Sequence, residues 1–401
     1  MEVEDENFNK NNPNSDPPKI DNNKHQHKNQ NKSNSKQILE KLKQTYPNKT
    51  IFSIAGHFFI IDEKYEFIKR LGQGAYGIVV SCLDKTNNSV VAMKKVENAF
   101  EDLIDAKRIL RELRLLHFFN HPSIIKLIDI QKPENLDSFN DIYFATEFMD
   151  TDLHKVIYSK QPLTDNHFQF FIYQILLGVH YLHSAGVIHR DIKPSNILVN
   201  KDCEMKICDF GLCGKIKTED GEGEAISQQT EYVVTRWYRA PEIILCPKRY
   251  TKAVDTWSVG CILAELLGRT ALFPGDNYLD QIKKIIMVLG NPTDSDIDYV
   301  KDLEARKFIN DLPKFDKIPF KTIYPKANPQ AIDLLEKMLC FNPKQRISIE
   351  QCLEHPYFAE VRDKQMEIKS GKKFDWSFDN FELTKENVQK RVYQESLAFH
   401  P

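Results

Sequence analysis

His189-Arg190-Asp191-Ile192-Lys193-Pro194-Ser195-Asn196, followed by Asp209-Phe210-Gly211 and then by Ala240-Pro241-Glu242, decides how this chain is read. Asp191 is suited to accept a hydroxyl proton and to orient the nucleophile that carries it. Lys193, two residues on, is a cation able to neutralise charge on a transferred group. Asn196 and Asp209 offer hard oxygen ligands of the kind magnesium prefers. A lone aspartate in a loop is ordinarily a turn or cap residue, and the nested order of these motifs argues against that here. Between Gly211 and Ala240 stands Thr230-Glu231-Tyr232, two hydroxyls separated by one residue and open to phosphorylation.

Upstream lies Leu71-Gly72-Gln73-Gly74-Ala75-Tyr76-Gly77-Ile78-Val79. Glycine lets a backbone approach phosphates closely and adopt positive φ. The same spacing opens dinucleotide-binding turns, but those pass directly into a helix. Here Ile78-Val79-Val80-Ser81-Cys82-Leu83 continues as strand, which favours a hairpin lying over phosphates. Val91-Ala92-Met93-Lys94 then sets a lysine at the end of an apolar strand, where it can pair with α- and β-phosphates. Glu112, expected on the polar side of the following helix, is the candidate carboxylate to hold it. Lys95 competes for the lysine role, and strand alternation turns only one of the two toward the ligand.

The 401 residues suffice for one large domain or two lobes, and the apolar fraction of 41% is that of a soluble globular protein. A formal net charge of −2 predicts attraction neither to nucleic acid nor to an anionic membrane. The longest apolar stretches, Ile51–Ile61 and Val259–Leu267, are too short to span a bilayer. Neither a signal peptide nor a lipidation motif is expected from the termini. Eight scattered cysteines without paired spacing read as thiols in a reducing compartment. The expected location is the cytosol, with nuclear access.

Residues 1–36 are rich in Asn, Lys, Ser and Asp and poor in aliphatics. That composition predicts a disordered extension, taken to about residue 50, with a short helix over Gln37–Gln44. Tyr65–Arg70, Ile78–Leu83, Val90–Lys94, Ile124–Ile130 and Ile142–Phe148 read as strands, and Asp102–Phe118 as an amphipathic helix. After Met149 helices dominate: Asn166–Ser184, Asp255–Leu267, Asn277–Leu289 and Pro329–Leu339. The expected class is α+β, with a β-rich lobe and a larger helical lobe flanking a cleft.

From about Tyr65 to Phe358 the chain resembles the eukaryotic protein kinases, and Lys193 beside Asp191 is similar to their serine/threonine type. The resemblance implies the bilobal kinase fold, with a small lobe over about 51–148 and a large lobe over about 149–358. It implies ATP and Mg2+ as cofactors. Asp191, Lys193, Lys94 and Glu112 would be catalytic, and Asn196 and Asp209 would hold metal. ATP would meet Leu71, Gly72, Gln73, Gly74, Ala75, Tyr76 and Gly77 of the loop. Val79, Ala92 and Leu198 would sandwich adenine, Glu147 and Met149 would offer backbone groups to it, and Asp152 would hold the ribose. Thr146 would control access behind the adenine site. Asp255 would anchor the catalytic loop, and Glu242 would pair with Arg346.

Thr230-Glu231-Tyr232 with Val233–Arg239, and Met149-Asp150-Thr151-Asp152-Leu153, resemble the mitogen-activated protein kinases of the extracellular-signal-regulated type. This implies a helical insert over about 289–325 and an extension over 359–401 that runs back over the small lobe. It implies activation by an upstream dual-specificity kinase at Thr230 and Tyr232, with reversal by phosphatases. Substrates would carry Ser or Thr before Pro. Arg236 and Arg239 would receive the Tyr232 phosphate; Arg190, with Arg108 or Arg111, would receive that of Thr230.

The chain departs from this pattern at three places. Gly214 stands where these kinases usually carry an arginine, five residues after Asp209, so one ligand for the phosphothreonine is missing unless Lys215 compensates. The segment before Thr230 is long and acidic. The acidic patch for basic docking peptides keeps Asp363 and Glu367 but is interrupted by Arg362, Lys364 and Met366. Two alternatives remain: a pseudokinase scaffold, which intact Lys94, Asp191 and Asp209 disfavour, and a cyclin-dependent-like kinase, which Tyr232 disfavours.

Overall fold

The computed structural model describes residues 35–74, 77–136, 139–216, 235–246 and 251–400. The chain divides into two compact units. One takes in the described residues up to Asp102, together with Leu127–Phe148 and Gln389–Pro401; the other takes in Leu103–Lys126 and Met149–Val388.

The first unit is built on a five-stranded antiparallel sheet in which β3 (Tyr65–Gly74), β4 (Gly77–Asp84), β5 (Ser89–Val96), β7 (Ile142–Glu147) and β6 (Leu127–Ile130) lie side by side in that order. Alternation sorts its faces. Ile78, Val80 and Cys82 of β4, Val91 and Met93 of β5, and Tyr143 and Ala145 of β7 point one way, into a buried apolar cluster with Phe59, Ile61 and Tyr65. Phe59 and Ile61 come from a second sheet, a hairpin of β1 (Lys49–Ile54) and β2 (His57–Asp62). Its turn sits at Ala55 and Gly56, both at positive φ (50° and 86°).

That hairpin revises the sequence reading, which left Ile51–Ile61 without strands and extended disorder to about residue 50. The short helix expected over Gln37–Gln44 is present, over 35–45, and β1 starts at Lys49, before the expected end of the extension. The hairpin is held because Phe59 and Ile61 are fully buried, each stabilising by about 1.5–3 kcal/mol.

Helices make up most of the second unit. The Asp165–Ser184 helix starts at a Thr164 cap that exchanges hydrogen bonds with His167, and it buries thirteen residues. The Ala253–Gly268 helix is buried on nearly every face, as a central core helix must be, and ends at Arg269 with φ 56°. The insert region carries short helices at Leu303–Asp311 and Phe320–Ile323.

The Leu103–Phe118 helix groups with this second unit and not with the sheet. Its packing gives the reason. Phe118 meets Phe374 edge to face at 5.2 Å, the Arg114 guanidinium lies 4.8 Å from the Phe378 ring centre, and Arg111 and Lys107 pair with Asp379 at 2.8 and 3.2 Å. Glu112, expected on the polar side, is buried at 6% exposure, because this helix is covered on more than its apolar stripe.

Candidate active site

Strand parity puts the two competing lysines on opposite faces of the sheet. Lys95 shares the parity of Val91 and Met93 and so points into the hairpin side of the sheet. There it is 3% exposed, bonded to the Phe58 carbonyl and to Glu97 Oε1 at 2.5 Å, with Asp141 at 3.1 Å. Lys94 takes the opposite face, its Nζ 5.2 Å from the Phe144 ring centre. Directly paired residues of an antiparallel sheet share a face. Val79 pairs with Lys94, and Ala92 with Thr146. Cross-strand pairing and strand parity therefore put Val79, Ala92, Lys94 and Thr146 on one surface, away from the core.

The glycine loop joins β3 to β4, with Ala75 and Tyr76 outside the described residues. Gly77 has φ 146°, and a Cβ on it would lie 2.0 Å from the Lys95 carbonyl oxygen, so no other residue fits. A Cβ on Gly72 or Gly74 would meet nothing within 4 Å among the described residues, which leaves their backbone open to an incoming group. Leu71 and Gln73 lie in the same strand, Gln73 in the register pair with Ile78.

In the second unit the catalytic-loop motif is assembled around Asp191. Lys193 Nζ bonds Asp191 Oδ2 at 2.7 Å. Asn196 Nδ2 donates to the Asp191 backbone carbonyl at 2.9 Å and to Oδ2 at 3.1 Å. Both amide protons are thereby used, and the Asn196 carbonyl oxygen is the atom left for a cation. Burial pushes the Asp191 carboxyl above the ordinary aspartate value; Lys193 opposes this and the Asp209 carboxylate adds to it. Asp209 itself sits at φ 65°, in the left-handed region.

Two anchors hold this loop. Asp255, fully buried, accepts from the backbone N–H groups of His189 and Arg190 at 2.9 Å each, and its Oδ2 lies 2.8 Å from His183 Nε2. Burial resists its ionisation, yet the His183 bond and the two nearby imidazoles outweigh that and lower its pKa. Phe210 is fully buried, 5.2 Å from the Phe119 ring and 5.4 Å from that of His189. The supporting roles of His183, Phe119 and His189 went unread in the sequence. The only local signal was a histidine in the last turn of a helix and another opening the motif.

Asp152 pairs with Leu198 across a short sheet and caps the Leu153–Tyr158 helix, accepting from Lys155 N at 2.9 Å. Met149 is buried and Glu147 ends β7. Glu242 and Arg346 form a buried bidentate pair at 2.6 and 3.0 Å.

Thr230 and Tyr232 lie outside the described residues. Of the arginines assigned to their phosphates, Arg236 and Arg239 both stack near the Tyr278 ring, at 5.7 and 5.8 Å. Arg190 donates from Nε to the Leu212 carbonyl and from Nη2 to that of Cys213, 2.6 Å each. Arg108 pairs with Asp105 at 2.6 Å, whereas Arg111 is committed to Asp379. Lys215 is exposed. In the acidic patch, Glu367 is taken by Arg362 at 2.7 Å, and Asp363 caps a single turn by accepting from Gln365 N. No helix among the described residues is long and apolar enough to cross a membrane.

A family model for the protein kinase domain matches residues 65–358. The chain is 47% identical over 350 residues to extracellular signal-regulated kinase 1 of Dictyostelium discoideum, which covers 87% of this chain and 65% of that protein. It is 48% identical over 343 residues to mitogen-activated protein kinase 4 of Oryza sativa subsp. japonica, covering 86% of this chain and 91% of the relative. Mitogen-activated protein kinase 3 of Arabidopsis thaliana is 45% identical over 351 residues, covering 87% and 93%.

Proposed function

We propose, starting from the fact that this chain belongs to the mitogen-activated protein kinases and is a serine/threonine protein kinase of signalling, that it is proline-directed and switched on by phosphorylation of both Thr230 and Tyr232. The observation that carries an active enzyme, as opposed to a scaffold, is the intact set around Asp191. Its carboxylate is oriented by Lys193 and Asn196, on a loop tied to Asp255. Asp191 accepts the proton of the substrate hydroxyl and aligns its oxygen for attack. The Asp191 bond to Lys193 also keeps that ammonium where charge builds on the phosphoryl oxygens.

The family implies ATP and a divalent cation, and the donor set suits magnesium. Asn196 and Asp209 supply hard oxygens, the number usual where phosphates and water complete the shell. The cation, when bound, neutralises charge on the phosphates. By the family's pattern Lys94 and the backbone of Gly72 and Gly74 would hold the phosphates, and Glu112 would be the lysine's counter-charge. By the same pattern Val79, Ala92 and Leu198 would flank adenine, Glu147 and Met149 would meet its edge, and Asp152 would hold the ribose.

Each added phosphate carries about −1.5 to −2 charge and seeks guanidinium groups. Arg236 and Arg239 receive that of Tyr232; Arg190, with Arg108 or Arg111, receives that of Thr230. Arg108 and Arg111 stand level here, since each already has a carboxylate partner, Asp105 at 2.6 Å and Asp379 at 2.8 Å. The partners are an upstream dual-specificity kinase, phosphatases, and substrates with Ser/Thr-Pro sites. Basic docking peptides bind weakly, because Arg362 has neutralised Glu367. The protein works in the cytoplasm and nucleus.

The test is a peptide-array assay with radiolabelled ATP before and after dual phosphorylation. Phosphorylation should raise turnover on Ser-Pro and Thr-Pro peptides above all others. Thr230→Ala with Tyr232→Phe should remove the gain while the fold persists. Equal turnover in the two states would exclude the switch.

A further inference from the structure

Gly214 has a geometry that its backbone does not require. It lies in a short strand, paired with Ile188 in antiparallel register, and it is absent from the glycines at positive φ. Any residue can adopt that conformation, so the backbone gives no reason for a glycine here. Space explains its presence. A Cβ built on Gly214 would lie 2.5 Å from Arg190 Cζ, 2.6 Å from Nη2 and 2.8 Å from Nη1. The guanidinium occupies the volume in which any side chain at this position would begin.

The far end of an arginine can ordinarily swing aside. Arg190 is 6% exposed, and its Nε and Nη2 are bonded to the carbonyls of Leu212 and Cys213, directly before Gly214. Moving it breaks two bonds of a buried charge. The same residue has φ 68°, and its backbone N–H is held by Asp255 Oδ1. It immediately precedes Asp191 and is followed, across the Gly214–Ile188 pairing, by the segment that leaves Asp209. One side chain thus fastens the loop carrying the catalytic aspartate to the segment carrying the metal-binding one. It does so with peptide carbonyls as acceptors, and a phosphate is not needed.

We propose that Gly214 is a positioning residue, a socket that seats Arg190 on the Leu212 and Cys213 carbonyls and thereby keeps Asp191 aligned before Thr230 is phosphorylated. The inference rests on the kinase reading above. It also accounts for the departure at position 214: an arginine there and Arg190 in this pose exclude each other. The chain gives up a second phosphate ligand and gains a latch independent of phosphate, so its unphosphorylated form retains activity and gains less from the switch.

The experiment uses the full chain, phosphatase-treated or dually phosphorylated, with Mg-ATP and a Ser-Pro peptide. Gly214→Ala should lower kcat of the unphosphorylated form roughly tenfold, as expected for loss of a charge-assisted bond, with KM for ATP little changed. After phosphorylation the deficit should shrink to about threefold or less, since the phosphate now holds the guanidinium. An equal deficit in both states, or none in the unphosphorylated form, overturns the proposal.

A stability cycle reads the socket without catalysis. Gly214→Ala should lower the unfolding midpoint in the wild-type background and leave it unchanged in an Arg190→Ala background; additive losses overturn the proposal. Should Gly214→Ala alone not fold, the double variant must fold as well as Arg190→Ala does, and its failure would show that the backbone needs the glycine. A wild-type chain inactive in both states would refute the kinase reading, and the stability cycle would still decide the socket.

Discussion

Asp255→Asn changes neither the size nor the burial of its site, yet it removes the charge and one acceptor. The native carboxylate serves three donors: the N–H groups of His189 and Arg190 at 2.9 Å, and His183 Nε2 at 2.8 Å. Oδ2 takes His189 and His183, and Oδ1 takes Arg190. With the carboxamide oxygen in the Oδ2 position, the Arg190 N–H confronts an NH2 group. With the amide turned over, the His189 N–H does. Each hydrogen bond to an ionised acceptor contributes about 1.5–3 kcal/mol, so the loss of one, with the others weakened, costs about 2–4 kcal/mol. Arg190 at φ 68° adds about 1–2 kcal/mol of strain that the lost bond had offset.

This energy is released by displacing the two residues before Asp191. If 2–3 kcal/mol of it appears as misalignment in the transition state, kcat falls by about 30- to 150-fold. Affinity for ATP should move far less, because Asp255 touches none of the residues assigned to the nucleotide. Steady-state kinetics on the phosphorylated chain, with a denaturation midpoint measured in parallel, tests both parts. A variant whose kcat stays within about threefold of wild type would refute the argument that this carboxylate carries the loop.

Four further outcomes are expected. Lys94→Arg and Asp191→Ala should each abolish phosphoryl transfer while Lys95→Arg retains it, and reversed behaviour of the lysines in a radiolabelled-ATP assay would overturn the parity assignment. Arg346→Met should cost about 3–5 kcal/mol by leaving Glu242 buried without a counter-charge, and Glu242→Leu in the same chain should restore part of the denaturation midpoint. Because burial raises the Asp191 pKa, kcat should decline on acidification from a pH above the ordinary aspartate value, while Asp255, with its lowered pKa, contributes stability above about pH 4 that drains as pH falls through its folded value. Thr146→Met should weaken bulky ATP-competitive inhibitors by at least about tenfold in a binding assay, the effect of filling the face it shares with Ala92.

The site was legible in the sequence wherever its parts are local. Lys193 and Asn196 reach Asp191 from two and five residues away, so order along the chain nearly dictates proximity. The lysine choice was legible in principle, since parity follows from alternation, but the direction of the core had to be known first. The core lies under a hairpin that the sequence reading missed. Ala55-Gly56 lacks the Asn-Gly or Asp-Gly signature of a tight turn, and Ile51–Ile61 therefore reads as one apolar run. The partner of Arg111 could not be foreseen, because Asp379 lies 268 residues away, whereas Arg108 finds Asp105 one turn earlier in its own helix. The burial of Glu112 could not be read for a similar reason: helical periodicity describes one buried stripe and is silent about a second covering.

The return of the chain near its C-terminal end has a consequence for biosynthesis. Gln389 Nε2 donates to the Phe139 carbonyl, and His400 Nε2 bonds that of Ile130 and lies 2.8 Å from Asp129 Oδ1. These contacts span 250 to 270 residues. The strands of the sheet emerge from the ribosome long before the residues that cover their edge are translated. A nascent chain therefore leaves β6 and the Phe139 segment without these partners until Gln389 and His400 have been translated, so these contacts close only after the strands of the sheet are all available.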